Sequence, residues 1–238
     1  MKTLHVIAVA ATLPLFCASA MAQNVNVPVP GAAPAPAGPQ EKKEMTFFVT
    51  SVNPGKGGDL GGLAGADAYC KKLATAVGAG NHDWRAYLST QGPGAVNARD
   101  RIGPGPWYNQ KGVRIAANLA DLHGDTVDLA RKGNLLNKAT ALTEKGEIVP
   151  GEGDKPNTHD ALTGSMLDGR AWTDNADHTC KNWTSGTEGS AYVGHMDRTS
   201  AGMGMSWNAT HGTQGCSMEL FKKNDGAGQF YCFAADSR

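Results

Sequence analysis

The sequence predicts an α+β domain with short strands, one or two helices and long loops. Glycine accounts for 31 of the 238 residues, close to twice its usual share of about 7%, and this favours turns over long helices. Apolar residues follow a helical period in one segment and alternate in others. A hydrophobic fraction of 40% is enough for one core, so the composition excludes a coiled coil, a polytopic membrane protein and a wholly disordered chain.

The balance of charged residues indicates which kinds of binding partner to expect. The chain carries 22 basic and 22 acidic side chains, which gives no reason to expect a nucleic acid or an anionic membrane as its partner.

The first 44 residues are expected to lie outside the fold. Residues 4–17 form an apolar run, and Ala20-Met21-Ala22 matches the small-residue pattern that signal peptidase cleaves. We therefore predict a signal peptide over residues 1–22, a secreted or periplasmic location, and no transmembrane segment after cleavage. Residues 23–44 are rich in proline and alanine and lack a hydrophobic period, which predicts a disordered tether.

The number of cysteines is interpreted together with the predicted export. Four remain after the predicted cleavage, namely Cys70, Cys180, Cys216 and Cys232. An even number in an exported chain indicates two disulfides, with three possible pairings. A metal cluster is the alternative, but no two of these cysteines form the CxxC pair that zinc sites usually contain. We therefore predict disulfides and no metal site.

One domain is predicted over residues 45–238. Its recognisable elements are an opening strand (46–52), a helix (63–77), a strand (84–88), a hairpin (139–149) and a closing strand (229–234). Residues 113–123 fit either a short helix or an irregular apolar stretch. Residues 150–215 consist mostly of Gly, Asp, Asn, Ser and Thr with three tryptophans, which is typical of long loops.

Several segments of the sequence occur in the same order as the motifs of one protein family. They are Gly65-Ala66-Asp67-Ala68-Tyr69-Cys70, Trp84 to Ser89, Ala98-Arg99-Asp100-Arg101, and Gly169-Arg170 followed by Cys180-Lys181-Asn182-Trp183. The pattern resembles the C-type-lectin-like fold, in particular the endostatin domain of collagens and small secreted bacterial lectin-like domains. The resemblance covers essentially all of residues 45–238. It implies two nested disulfides, Cys70–Cys232 and Cys180–Cys216.

The resemblance also suggests where a calcium ion would bind. Many true C-type lectins hold calcium with a Glu-Pro-Asn or Gln-Pro-Asp loop and a Trp-Asn-Asp strand. Here Lys155-Pro156-Asn157 and Trp207-Asn208-Ala209 stand at roughly these places, and both lack the acid. Calcium needs hard oxygen ligands, so calcium-dependent binding by this route is disfavoured and no cofactor is predicted. Acidic residues that flank the loop could ligate calcium in another way: Glu152, Asp154 and Asp160.

Two further properties of endostatin-like domains find little support in the sequence. Those domains bind heparan sulphate through clustered arginines, whereas the basic residues of this chain are scattered: Arg99, Arg101, Arg114, Arg131, Arg170 and the Lys222-Lys223 pair. The zinc site of endostatin uses histidines near that domain's N-terminus, and residues 45–60 contain none, so the site is not carried over.

The predicted function is binding and not catalysis, since the sequence has no HExxH, GxSxG or phosphate-loop motif. We predict a secreted lectin-like recognition domain that binds carbohydrate through loops in residues 150–215. The alternative is an adhesin or envelope structural protein that binds a cell-surface or extracellular protein and no sugar. The candidate ligand-binding residues are Asp154, Asn157, Asp160, Trp172, Trp207 and Asn208, because aromatic faces stack on sugar rings while Asn and Asp bond hydroxyls.

Overall fold

The computed structural model describes residues 42–124, 134–199 and 205–237. The predicted signal peptide and most of the predicted tether lie outside these residues. The described chain has a mixed α+β fold. Its strands are β1 (Phe47–Val49), β2 (Trp84–Ala86), β3 (Trp107–Tyr108), β4 (Arg114–Ala116), β5 (Asp160–Leu162), β6 (Tyr192–His195), β7 (His211–Gly212) and β8 (Gly226–Ala234). Its helices are α1 (Gly62–Ala76), α2 (Leu119–Leu122), α3 (Cys180–Trp183) and α4 (Met218–Lys223). Within the described residues, no helix has both the length and the apolar character needed to cross a membrane.

The main sheet is organised around β8, the longest strand. The strand order is β1-β8-β5-β6-β7, and β2 also pairs with β8. Cys232 of β8 lies opposite Phe48 of β1 and Ala86 of β2 in antiparallel register. On its other side β8 runs parallel to β5, and the remaining strands alternate in direction. The last strand therefore joins the beginning of the domain to the segment 150–215.

The core lies on both faces of this sheet. Along β8, Phe230, Cys232 and Ala234 belong to the cluster that packs against α1. Tyr231 and Phe233 belong to a second cluster on the opposite face. Successive side chains of a strand point to opposite faces. A strand buried on both faces needs a continuous apolar run, which explains the composition of the closing strand.

A charged network joins α1 to β2. Asp67 of α1 accepts hydrogen bonds from the backbone N–H of Ala86 at 2.9 Å, from Arg85 at 3.0 Å and from Arg101 at 2.6 Å. Arg101 also donates to the Ala86 carbonyl oxygen. These residues come from three of the segments on which the resemblance depends. Their role here is to hold helix, strand and turn together.

The two disulfides have the pairing that the resemblance implied. Cys70–Cys232 ties α1 to β8 across 162 residues, and Cys180–Cys216 closes a loop of 36 residues. The second bond begins in α3, whose four residues all have left-handed backbone angles, with φ between 47° and 65°. Thr179 caps this turn by accepting a hydrogen bond from the backbone N–H of Asn182.

Most of the predicted elements are confirmed. The opening strand, the long helix, the strand after Trp84 and the closing strand are all present. Residues 113–123 contain the short helix α2, as one interpretation predicted, and also the strand β4, which neither interpretation predicted. The predicted hairpin is reduced to a tight turn with a bridge between Leu142 and Ile148. The segment 150–215 is less irregular than its composition indicates, because β5, β6 and β7 lie in it.

Candidate functional site: the histidine pocket

A polar pocket of about 420 Å³ opens where β5 begins, β6 ends and β7 begins. We name it the histidine pocket and define it by its lining residues: Glu152, Asn157, His159, His195, His211, Lys223, Asn224 and Asp225. All eight side chains are polar. Five of them come from the segment 150–215, in which the sequence predicted the binding loops.

Strand register brings three chemically active side chains together in this pocket. Asp160 lies directly opposite His195, and His211 lies opposite Val193. Because Val193 is two residues before His195, both have the same orientation relative to the sheet. Residues paired across neighbouring strands also point to the same face. Asp160, His195 and His211 therefore share one face on three adjacent strands.

The side-chain atoms of these residues converge. The Nε2 atoms of His195 and His211 are 3.1 Å apart. The Oδ1 atom of Asp160 is 3.3 Å from the first and 3.5 Å from the second. Each residue offers one ligand atom, and all three atoms lie within 4.8 Å of one another. These three residues could hold a metal ion, and so could a second group that shares His195 with them, namely His159, His195 and Asp197.

A third histidine approaches the same carboxylate. The Nε2 atom of His159 is 3.7 Å from Asp160 Oδ1, and the His159 ring stacks on His195 with 4.0 Å between ring centroids. The Nδ1 atom of His159 is 3.0–3.1 Å from both carboxylate oxygens of Asp197. Asp197 also accepts a hydrogen bond from the backbone N–H of Glu152 at 2.8 Å. The orientation of the His159 ring is thus fixed by a buried carboxylate.

The pocket is electrostatically suited to a cation. Burial alone would lower the pKa of His159, but the hydrogen bond and charge of Asp197, together with the charge of Asp160, raise it above its ordinary value. The contact with Asp160 likewise raises the pKa of His211, against the effect of burial. Burial would raise the pKa of Asp197, but the hydrogen bonds from His159 and from the Glu152 backbone hold it well below its ordinary value. The carboxylates therefore favour positive charge on the histidine ring atoms between them.

Two of the six predicted ligand-binding residues belong to the pocket region. Asn157 lines the pocket. Asp160 is not itself a lining residue, but it contacts the lining histidines His195 and His211, and only 4% of its surface is exposed. Asp154 is turned to Lys138, with 2.7 Å between its Oδ2 atom and the Lys138 Nζ atom, and accepts a hydrogen bond from the Gly151 backbone. It is not among the lining residues.

Trp207 and Asn208 lie in the core, which corrects their predicted contact with a ligand. Both are completely buried. The indole N–H of Trp207 donates to the Leu122 carbonyl oxygen at 3.1 Å. The Asn208 amide donates to the Tyr87 hydroxyl at 3.0 Å and to two backbone carbonyl oxygens, those of Met166 and Leu167. The half of the lectin calcium site that these residues resembled is therefore a structural element in this protein.

The Asn208 network ends in a buried histidine. His123 Nδ1 lies 3.2 Å from the Leu119 carbonyl oxygen, so this nitrogen carries the proton and donates. Its Nε2 atom then accepts from the Tyr87 hydroxyl at 2.7 Å. Burial, and next the charge of Arg99, lower the pKa of His123 to about 4. A neutral ring satisfies both bonds, whereas a protonated ring would break one of them.

Replacing His123 by glutamine is therefore expected to make stability less dependent on pH. The folded-state pKa of about 4 lies below the unfolded value of about 6.5, so the unfolded state binds more protons between these limits. The contribution of neutral His123 to the stability of the folded state is complete above pH 6.5 and is lost as the pH falls toward 4. The difference in unfolding free energy between wild type and His123→Gln should shrink by about 2 kcal/mol from pH 7 to pH 5. Denaturant titrations of both proteins at these pH values measure it, and a pH-independent difference would contradict it.

Trp172 lies in an aromatic group outside the histidine pocket. Its ring centroid is 4.5 Å from that of His178 and 4.7 Å from that of Tyr192, and the residue is half-buried. A second polar pocket of about 290 Å³ lies near His178 and includes Asp174 and Asn175. The Asp174 carboxylate is 3.0 Å from His178 Nε2, so this region contains a histidine–carboxylate pair of its own.

Three of the arginines considered for heparan sulphate binding form hydrogen bonds or ion pairs within the protein. Arg99 donates to the Asp168 carbonyl oxygen at 2.7 Å, and Arg170 forms an ion pair with the Asp168 carboxylate. Arg101 belongs to the Asp67 network, and Arg131 lies outside the described residues. In the described part of the chain, these three arginines therefore contact acidic or carbonyl oxygens of the protein itself.

The histidines of the pocket were not predicted from the sequence as site residues. They are separated by 36 and 16 positions, and no short motif links them. The usable signal was their position, since His159-Asp160, His195 and His211 all fall in the segment that is rich in Gly, Asp, Asn, Ser and Thr. The register of β5, β6 and β7 brings these histidines together, and the composition of the segment gives no indication of these strands.

A comparison of the chain with protein-family models and with curated protein sequences returns no match.

Proposed function

We propose that this protein is an exported recognition domain of the C-type-lectin-like class that binds carbohydrate at the histidine pocket. The order of the motif segments, the mixed α+β architecture and the nested disulfides support the fold class. Disulfides that close long loops are characteristic of exported proteins, which supports the location. Fold alone does not carry function, so the ligand class has to be argued from the pocket.

The polar lining of the histidine pocket is the observation that carries this proposal. Pockets for apolar ligands are lined mainly by hydrophobic and aromatic side chains, whereas all eight lining residues here are polar. The amides of Asn157 and Asn224 and the carboxylates of Glu152 and Asp225 offer both donors and acceptors to hydroxyl groups. The His211 side chain, 40% exposed, places an aromatic ring at the rim. This combination suits a hydroxyl-rich ligand.

Binding to a glycan array tests the proposal. We expect the oxidised full chain to bind a defined subset of glycans, and Asn157→Ala to weaken that binding at least tenfold. Asn175→Ala is the matched control, because Asn175 is exposed and lies at the second polar pocket. A loss with Asn175→Ala but not with Asn157→Ala would remove the assignment to the histidine pocket.

A protein ligand is the second candidate function. It is favoured by Trp207 and Asn208, since their burial removes one half of the surface that calcium-dependent lectins use for sugar. A blank array, obtained with protein shown to be folded and disulfide-bonded, would overturn carbohydrate binding and favour this candidate.

A further inference from the structure

We propose that Asp160, His195 and His211 bind one divalent transition-metal ion of the zinc class at the base of the histidine pocket. This inference does not depend on carbohydrate binding, since it rests on the ligand atoms themselves.

The distances between the three ligand atoms match tetrahedral coordination. A tetrahedral zinc ion with bonds of about 2.0–2.1 Å holds its ligand atoms about 3.3–3.4 Å apart. Here the three separations are 3.1 Å between the Nε2 atoms of His195 and His211, and 3.3 Å and 3.5 Å from these atoms to Asp160 Oδ1. Three side chains from three separate strands thus form one face of a tetrahedron of the required size.

A hydrogen bond on the far side of its ring sets the tautomer of the ligand His211, and the same holds for the neighbouring His159. His211 Nδ1 lies 3.2 Å from the Gly212 carbonyl oxygen, which can only accept, so Nδ1 carries the proton. His159 Nδ1 likewise faces the Asp197 carboxylate. In the neutral form, both rings therefore direct an Nε2 lone pair toward Asp160 Oδ1. A cation bound between the His211 lone pair and the carboxylate converts their repulsion into attraction. An outer hydrogen bond such as that of His211 Nδ1 is typical of metal-bound histidines.

Asp160 supplies an independent observation. Its Oδ1 atom is buried and makes no regular hydrogen bond in the described part of the chain, where three histidine nitrogens face it at 3.3–3.7 Å. A buried carboxylate oxygen without a hydrogen-bond partner is costly, and a bound cation would satisfy it. Asp160 is 4% exposed and His195 7% exposed, so the base of the site is shielded from water.

The chemistry of the ligands selects the metal class. Calcium and magnesium prefer oxygen ligands, whereas imidazole nitrogen favours zinc, copper and nickel. Two histidines and one carboxylate leave the fourth position of a tetrahedral zinc site open. A water molecule or an oxygen atom of a bound ligand would complete the coordination there.

Calorimetric titration of the metal-free, untagged full chain with Zn²⁺ tests the proposal. We expect one ion per chain, with affinity reduced at least 100-fold in His211→Ala and in Asp160→Asn. His178→Ala is the matched control, because His178 also pairs with a carboxylate but has no converging histidine in the described chain, and its affinity should equal that of wild type. Calcium at millimolar concentration should not displace the zinc.

A second readout separates metal binding from folding. Zinc should raise the melting temperature of wild type and of His178→Ala by the same amount, since a ligand that binds only the folded state stabilises it. Cobalt should give wild type the strong visible absorption of a tetrahedral site, and Asp160→Asn should lose it. Absence of zinc binding by folded wild type would overturn the proposal, as would unchanged affinity in both ligand variants. The zinc titration and the melting experiments contain no glycan, so their outcome is independent of whether the glycan array shows binding.

Discussion

Replacing Cys70 and Cys232 together by alanine is expected to abolish cooperative folding. The bond closes a loop of 162 residues, and chain-entropy arguments value such a closure at roughly 5 kcal/mol. The total stability of a domain is about 5–15 kcal/mol. Both cysteines are completely buried between α1 and β8, so the variant also loses contacts in the core. Near-ultraviolet circular dichroism and thermal melting should show no cooperative transition.

The shorter disulfide provides the control for this experiment. Cys180–Cys216 closes 36 residues, for which the same argument gives roughly 4 kcal/mol. The corresponding double alanine variant should therefore be destabilised less than the Cys70 and Cys232 variant. A near-native melting temperature in the latter would contradict the prediction.

The second large effect is expected at Asp67. Its carboxylate, 13% exposed, is shared by Arg85 and Arg101 and also accepts the Ala86 backbone N–H. The substitution Asp67→Asn retains the size of the side chain but leaves Arg101, itself 10% exposed, without its counter-charge. Breaking a buried pair in this way costs about 3 kcal/mol or more. Denaturant unfolding should report a loss of this size.

An exposed ion pair distinguishes this effect from a general loss of charge. Lys181 and Glu188 form a salt bridge on the surface, and surface pairs contribute little to stability. Glu188→Gln should leave the unfolding midpoint unchanged. If Asp67→Asn behaved in the same way, the network would be dispensable and its proposed role would be wrong.

The sequence predicted those parts of the fold that depend on local patterns. The helical spacing from Leu63 to Val77 and the apolar closing strand are both strong signals, and both elements are present. β5, β6 and β7 contain only three, four and two residues, which is too short for alternation to be recognised. β5 pairs with β8, β6 with β5, and β7 with β6. These strands therefore depend on their neighbours in the sheet, a tertiary effect that the local sequence does not carry.

The same reason limits what could be predicted of the site. Asn157 and Asp160 were recognised because loop acids and amides are plausible ligands wherever they occur. Trp207 and Asn208 were chosen on a resemblance of three residues, which gives no information on burial. His195 and His211 acquire significance only through the pairing of β6 with its neighbours.

The left-handed turn Cys180–Trp183 has a consequence for when the protein can fold. Left-handed geometry costs non-glycine residues about 1–2 kcal/mol each, and this turn contains four of them. Before the two disulfides form, no covalent bond holds Cys180 or the chain ends in place. The turn is then expected to relax and to withdraw Trp183 from the core. Under reducing conditions the chain is therefore expected to lose the packing around Trp183, and oxidation of the two cysteine pairs is expected to restore it. The formation of the native core is in this sense coupled to the redox state of the surroundings.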